Sequence, residues 1–109
     1  MPLAIDHIQI TVKDIITAEP FYDRLMPILG YDLADKISVP IPEHDLYVVE
    51  YLHTEMDFGI CSPRNAFRSE TVHRRKPGAV HHIAFRARSR EHVDELYGKI
   101  RQIDGVNIL

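Results

Sequence analysis

Two histidines, His7 and His82, stand 75 residues apart in matching surroundings. His7-Ile8-Gln9-Ile10 returns as His82-Ile83-Ala84-Phe85, and the register then runs on without a gap. Tyr22 returns as Tyr97, Ile28 as Ile103 and Gly30 as Gly105, with Lys13/Arg88, Glu19/Asp94, Leu25/Ile100 and Leu33/Ile108 as conservative pairs. Imidazole nitrogen is a ready ligand for zinc and related divalent ions. Equivalent histidines in two copies of one unit are therefore candidate ligands for a metal held between the copies. The plainer explanation is that each histidine sits on the polar face of a strand. A lone strand histidine would normally deserve that reading; it is the recurrence that argues for ligation.

An internal repeat constrains architecture before any single element is read. Residues 4–12 alternate and are rich in β-branched side chains, which predicts a strand. Ile8, Ile10 and Val12 point one way, and His7, Gln9 and Thr11 the other. Asp14 or Thr17 then offers an N-cap, and Phe21, Leu25, Ile28 and Leu29 form a helical stripe ending at Gly30. Pro20 suits a first turn if Thr17 is the cap, and Pro27 should shorten or kink the last turn. Strands are expected at Tyr31–Val39, before the turn Pro40-Ile41-Pro42, at Leu46–Leu52 and at Met56–Ser62. Residues 80–87 should repeat the first strand, with Ile83, Phe85 and Ala87 on one face and His82, Ala84 and Arg86 on the other. Ser89 should cap a second helix ending at Gly105, and Val106–Leu109 should begin another strand. The division that follows is a full strand-helix-strand-strand-strand module at 1–63, a connector at 64–79, and the opening strand-helix half of a second module at 80–109. A second copy as long as the first would make a chain of about 140 residues by the same repeat.

Composition narrows the class. The 109 residues are 45% hydrophobic and 27% charged, the balance of one globular domain. The net charge of -3 gives no global electrostatic case for nucleic acid. The apolar runs are too short to span a bilayer, and no leader-like segment precedes Ile5. A single cysteine, Cys61, forms no internal disulfide and suits a cytoplasmic protein. The connector carries Arg64, Arg68, Arg74, Arg75 and Lys76, either as a solvated linker or as a flap that attracts an anionic substrate.

The strand-helix-strand-strand-strand order, the histidine opening each copy, and the phrases FYDRLMPILGY and HHIAFRARS resemble the vicinal oxygen chelate superfamily, the group of glyoxalases, bleomycin-resistance proteins and extradiol dioxygenases. The resemblance spans nearly the whole chain. It implies an α+β fold in which paired βαβββ modules form a curved, cup-shaped mixed sheet, the second module here stopping after its βα unit. It places His7 and His82 at the two histidine ligand positions of a divalent metal, with zinc, manganese, nickel or iron as candidates. A glutamate on the fourth strand of the first module, used by lactoylglutathione lyases, falls here on Gly59. The glutamate that other members supply from the last strand is absent, so no third ligand is found in this sequence.

Other residues are weaker candidates. Asp57, Glu50 and His53 are possible substitute ligands, each more simply an ordinary strand residue. Arg86 could meet a carboxylate or phosphate, or be a rim charge. Gln9, Tyr47 and Tyr51 are candidates for contacting a small-molecule substrate, and packing explains them equally well. His81 should point away from His82 on a regular strand. Cys61 lacks an evident base partner. Two functions of different class follow. One is a metal-dependent lyase, isomerase or dioxygenase acting on a small molecule through bidentate oxygen chelation. The other is a non-catalytic small-molecule-binding protein of the bleomycin-resistance type, or an inactive truncated member. A homodimer is expected, because an incomplete second module leaves an open edge and apolar surface.

Overall fold

The computed structural model describes residues 1–109. Strand β1 (His7–Thr11) leads into helix α1 (Ile15–Ile28), followed by β2 (Ile37–Ile41), β3 (Leu46–Tyr51), β4 (Asp57–Cys61) and α2 (Arg90–Ile100). The four strands form one sheet in the order β1-β4-β3-β2. β1 runs parallel to β4, and the other neighbours are antiparallel. The fold is therefore α+β with a mixed sheet. No helix is long and apolar enough to cross a membrane.

Local chemistry explains the helix ends. Asp14, not Thr17, caps α1: its carboxylate accepts from the Ile16 N–H at 3.0 Å and from the Thr17 hydroxyl at 3.0 Å. Pro20 thus lies inside the helix rather than in its first turn. At the other end Gly30 adopts φ +104. The Gly30 N–H reaches Pro27 O at 3.1 Å and the Tyr31 N–H reaches Met26 O at 3.0 Å, the pair of bonds that closes a Schellman motif. That left-handed step disfavours any side chain at position 30. Ser89 caps α2 by accepting from the His92 N–H at 3.0 Å.

One face of the sheet carries the core. Met26 of α1 packs with Tyr31, Val49, Tyr51, Phe58 and Ile60, and Ile10, Tyr22, Leu29 and Tyr47 border the cluster. A polar clamp fixes the helix over this face. The Lys36 ammonium lies 2.6 Å from Glu19 and 2.8 Å from Asp23, both on α1, and the Tyr51 hydroxyl donates to Asp23 at 2.9 Å. Partial burial pulls the Lys36 ammonium down, but hydrogen bonds to Asp23 and Glu19 and their charges outweigh it and hold its pKa above the ordinary value. Burial, then the bond to Asp23, raises the Tyr51 phenol.

The structure departs from the sequence pattern in three places. The second strand begins at Ile37, because Asp32 caps a short 3-10 turn at Leu33–Asp35 and Lys36 is drawn to the helix. Pro40 lies inside that strand, which is tolerated because β2 pairs only with β3 and is an edge. Residues 80–87 form no strand and join no ladder, and neither does Val106–Leu109. Instead Val80, Ile83 and Phe85 line an apolar cavity of about 340 Å³ with Ile10, Tyr22, Leu25, Met26, Leu29 and Phe58. The segment thus brings half-exposed apolar side chains to the rim of the core while its backbone stays outside the sheet, and the outer edge of β1 is open.

Met26→Ala should lower unfolding free energy by about 2–5 kcal/mol, since it empties a fully buried site. Tyr51→Phe should cost about 1–2 kcal/mol through the lost bond to Asp23. Urea unfolding followed by circular dichroism reads both. A neutral Met26→Ala would show that α1 does not pack on this face.

Candidate functional site

Register builds the site. The parallel pairing sets His7 beside Asp57 and Gln9 beside Gly59, while β3 sets Glu50 on the other side of Gly59. Paired residues of adjacent strands share a face. His7, Gln9, Asp57, Gly59 and Glu50 therefore lie together on the face opposite α1. There His7, Ile8, Gln9, Glu50, Asp57 and Gly59 line a pocket of about 240 Å³. Gly59 forms its floor: a Cβ there would stand 3.3 Å from Gln9 Cγ and 3.5 Å from the Val49 carbonyl oxygen.

The pocket is polar and its charges interact. His7 Nδ1 donates to the neighbouring Asp6 carboxylate at 2.8 Å. That bond, then the Asp6 charge, then the more distant charges of Asp57 and Glu50, raise the His7 pKa above 6.5. Asp57 also accepts from the His53 N–H at 2.9 Å, which ties the β3–β4 turn to the pocket rim. Thr11 and Cys61 continue the same face, with Oγ1 and Sγ 3.4 Å apart. Cys61 is buried.

A larger concavity, about 590 Å³, lies elsewhere, between the start of α1 and the turn at Ile103–Gly105. Its lysine is already engaged. Lys13 donates to the carbonyls of Arg68 and Glu70 at 2.6 Å, and Arg24 lies 4.0 Å from Asp104. Polar side chains converge instead at the smaller pocket, which is the better candidate for chemistry.

The residues singled out in the sequence divide three ways. His7 and Gln9 line the polar pocket, and so do Glu50 and Asp57, which the sequence offers only as substitute ligands. Tyr47 and Tyr51 do not. Tyr51 is fully buried against α1 and Tyr47 borders the same core, so substrate contact on the open face is not available to them. In LYVVEYL, Val48 and Val49 are both apolar, and this blurs the alternation that would have told the faces apart. His82 and Arg86 lie on the unpaired 80–87 segment and are absent from the pocket. His82 meets His81, with Nδ1 atoms 2.8 Å apart, so the two point to one side rather than to opposite sides. Arg86 borders a cleft with Leu29, Phe85 and Leu96.

No three His, Cys, Asp or Glu side chains converge to hold an ion. His7 is turned to Asp6 and His82 to His81. Within one chain, the donors do not fit a divalent centre built on His7 and His82.

The model of the Glyoxalase/Bleomycin resistance protein/Dioxygenase superfamily matches residues 4–108. The chain belongs to that superfamily. Among solved structures it is similar to a "putative glyoxalase from Bacillus halodurans", with a TM-score of 0.67 and 26% identity over 90% of this chain and 67% of that one. No curated protein matches the chain.

In a pH titration followed by NMR, His7 should titrate above 6.5, and Asp6→Asn should bring it back toward that value. Because the folded pKa is raised, whatever stability the pair contributes is present below the ordinary pKa and is lost as pH rises through the folded value. A His7 titration unmoved by Asp6→Asn would remove Asp6 as the cause.

Proposed function

We propose that this glyoxalase-superfamily chain binds a small organic molecule on the open sheet face around His7. The observation that carries the reading is the pocket in which His7, Gln9, Glu50 and Asp57 meet over the notch left by Gly59. Two carboxylates with an imidazole and an amide suit a ligand that brings amino, guanidino or hydroxyl donors, because ionised carboxylates only accept. The class we favour is a non-catalytic binding protein, since the pocket sets hydrogen-bond acceptors side by side.

The catalytic reading rests on the side-chain types. An imidazole and two carboxylates close enough to act on its pKa are the donor types a divalent metal takes. Such a metal would supply Lewis-acid polarisation of paired substrate oxygens. Those three side chains do not converge on one point, so further donors would have to come from another molecule. The open edge of β1 and the exposed apolar residues Val93, Tyr97 and Phe85 make a second copy of the chain the natural source, and a homodimer is part of this reading.

A thermal-shift screen of cationic and polyhydroxylated metabolites, without and with added zinc, manganese, nickel or iron, tests both. A ligand bound as proposed should lose about 10–100-fold in affinity in Glu50→Gln or Asp57→Asn, the effect of removing one charge-assisted hydrogen bond. Binding indifferent to both substitutions would place the ligand elsewhere. Stabilisation that requires metal and vanishes in His7→Ala would favour the enzyme.

A further inference from the structure

An apolar cavity lies on the helix side of the sheet, the face opposite the His7 pocket. It holds about 340 Å³ between the core and residues 80–85. Nothing in its wall is charged, and Tyr22 carries its one side-chain hydroxyl. Ligand pockets begin at about 300 Å³, and a dry apolar cavity of about 150 Å³ already admits benzene. The space here is enough for two fused rings.

Three aromatic rings line it. Tyr22 and Phe58 have centroids 5.7 Å apart with planes at 31°, and Phe58 and Phe85 have centroids 6.4 Å apart with planes at 54°. A ring placed among them can make further edge and face contacts of the same kind, which an aliphatic chain cannot. Met26 adds a polarisable thioether to the wall.

The inner and outer walls differ. Met26 and Phe58 are buried and belong to the packed core, whereas Val80, Ile83 and Phe85 are half-exposed. No backbone group of residues 80–87 hydrogen-bonds to another backbone group. Gly78, with φ +82, precedes this segment, and Ser89, the α2 cap, follows it. The outer wall can therefore shift to admit a molecule without breaking a backbone bond. A bound molecule would gain by covering the three half-exposed side chains. Because one wall is this chain's own segment, the space is a slot for a small molecule rather than a flat face for another protein.

We infer that the cavity between the core and residues 80–85 is a binding site for a neutral aromatic molecule of one or two rings. The site is separate from the His7 pocket and does not rest on the function proposed for that pocket.

The test uses indole, a neutral bicyclic probe, titrated into the full chain and followed by NMR. Binding should saturate at submillimolar concentration, with nuclear Overhauser contacts from indole to the methyl groups of Ile10, Leu29 and Ile83. Ile83→Trp fills the space and should weaken indole at least about tenfold. Phe85→Leu keeps the wall apolar but removes one ring, and should weaken indole about 2–10-fold, the share of one aromatic pair. n-Octanol should bind more weakly than indole and lose nothing in Phe85→Leu. Both substituted side chains are half-exposed, so circular dichroism should stay native; if either variant is not, the contacts to the unsubstituted chain decide. The inference is overturned if indole does not saturate, binds no better than octanol, or makes its contacts at Lys13 and Ile103 or at Gln9 and Gly59. Contacts of Phe85 with a second copy of the chain, seen in a mixed-labelled sample and undisturbed by indole, would also overturn it by giving the cavity to a protein partner.

Discussion

The parallel pairing of β1 with β4 is the constraint on which the site depends. It joins residues 50 positions apart in sequence, from His7↔Asp57 to Thr11↔Cys61. A parallel neighbour cannot be reached by a tight turn; it requires a long connection. Here α1 and the β2–β3 strands fill that connection. The pairing turns the alternation of two separate strands into one shared alternation. Ile10, Phe58 and Ile60 are committed to the helix side, and Gln9 and Gly59 to the open side. A shift of one residue in this register would bury His7 and Gln9 under α1 and expose the core.

Two devices hold that register. Apolar packing of Met26, Tyr51 and Phe58 is strong but non-directional. The Lys36–Glu19–Asp23–Tyr51 cluster adds direction, since it ties α1 to the segment before β2 and to the end of β3. The outer edge of β1 has no such support. The pocket is thus bounded by paired strands on its β3–β4 side and open on its β1 side.

Much of this was legible in the sequence. Alternation in HIQIT and DFGIC assigns both strands and both faces correctly, because Ile8, Ile10, Phe58 and Ile60 alternate with His7, Gln9, Thr11, Asp57, Gly59 and Cys61. The repeat pointed to the family, and the family model spans nearly the same residues. The failures have physical causes. Residues 80–87 carry a strand's pattern, but a strand also needs a neighbour to bond, which no local pattern guarantees. Tyr47 and Tyr51 stay open between packing and substrate contact in the sequence because tyrosine suits both core and pocket, and Val48-Val49 hides the phase. The contribution of Glu50 depends on its pairing with Gly59, a contact between strands that composition does not reveal.

The polar sheet face, not the larger cavity beside α1, is the proposed binding face. Amide chemical-shift mapping with a ligand of the cationic or polyhydroxylated class tests it most directly. Shifts should concentrate at residues 7–11, Glu50 and 57–61. Shifts concentrated at Val12–Arg24 and Ile103–Gly105, with the β1–β4 face silent, would contradict the account.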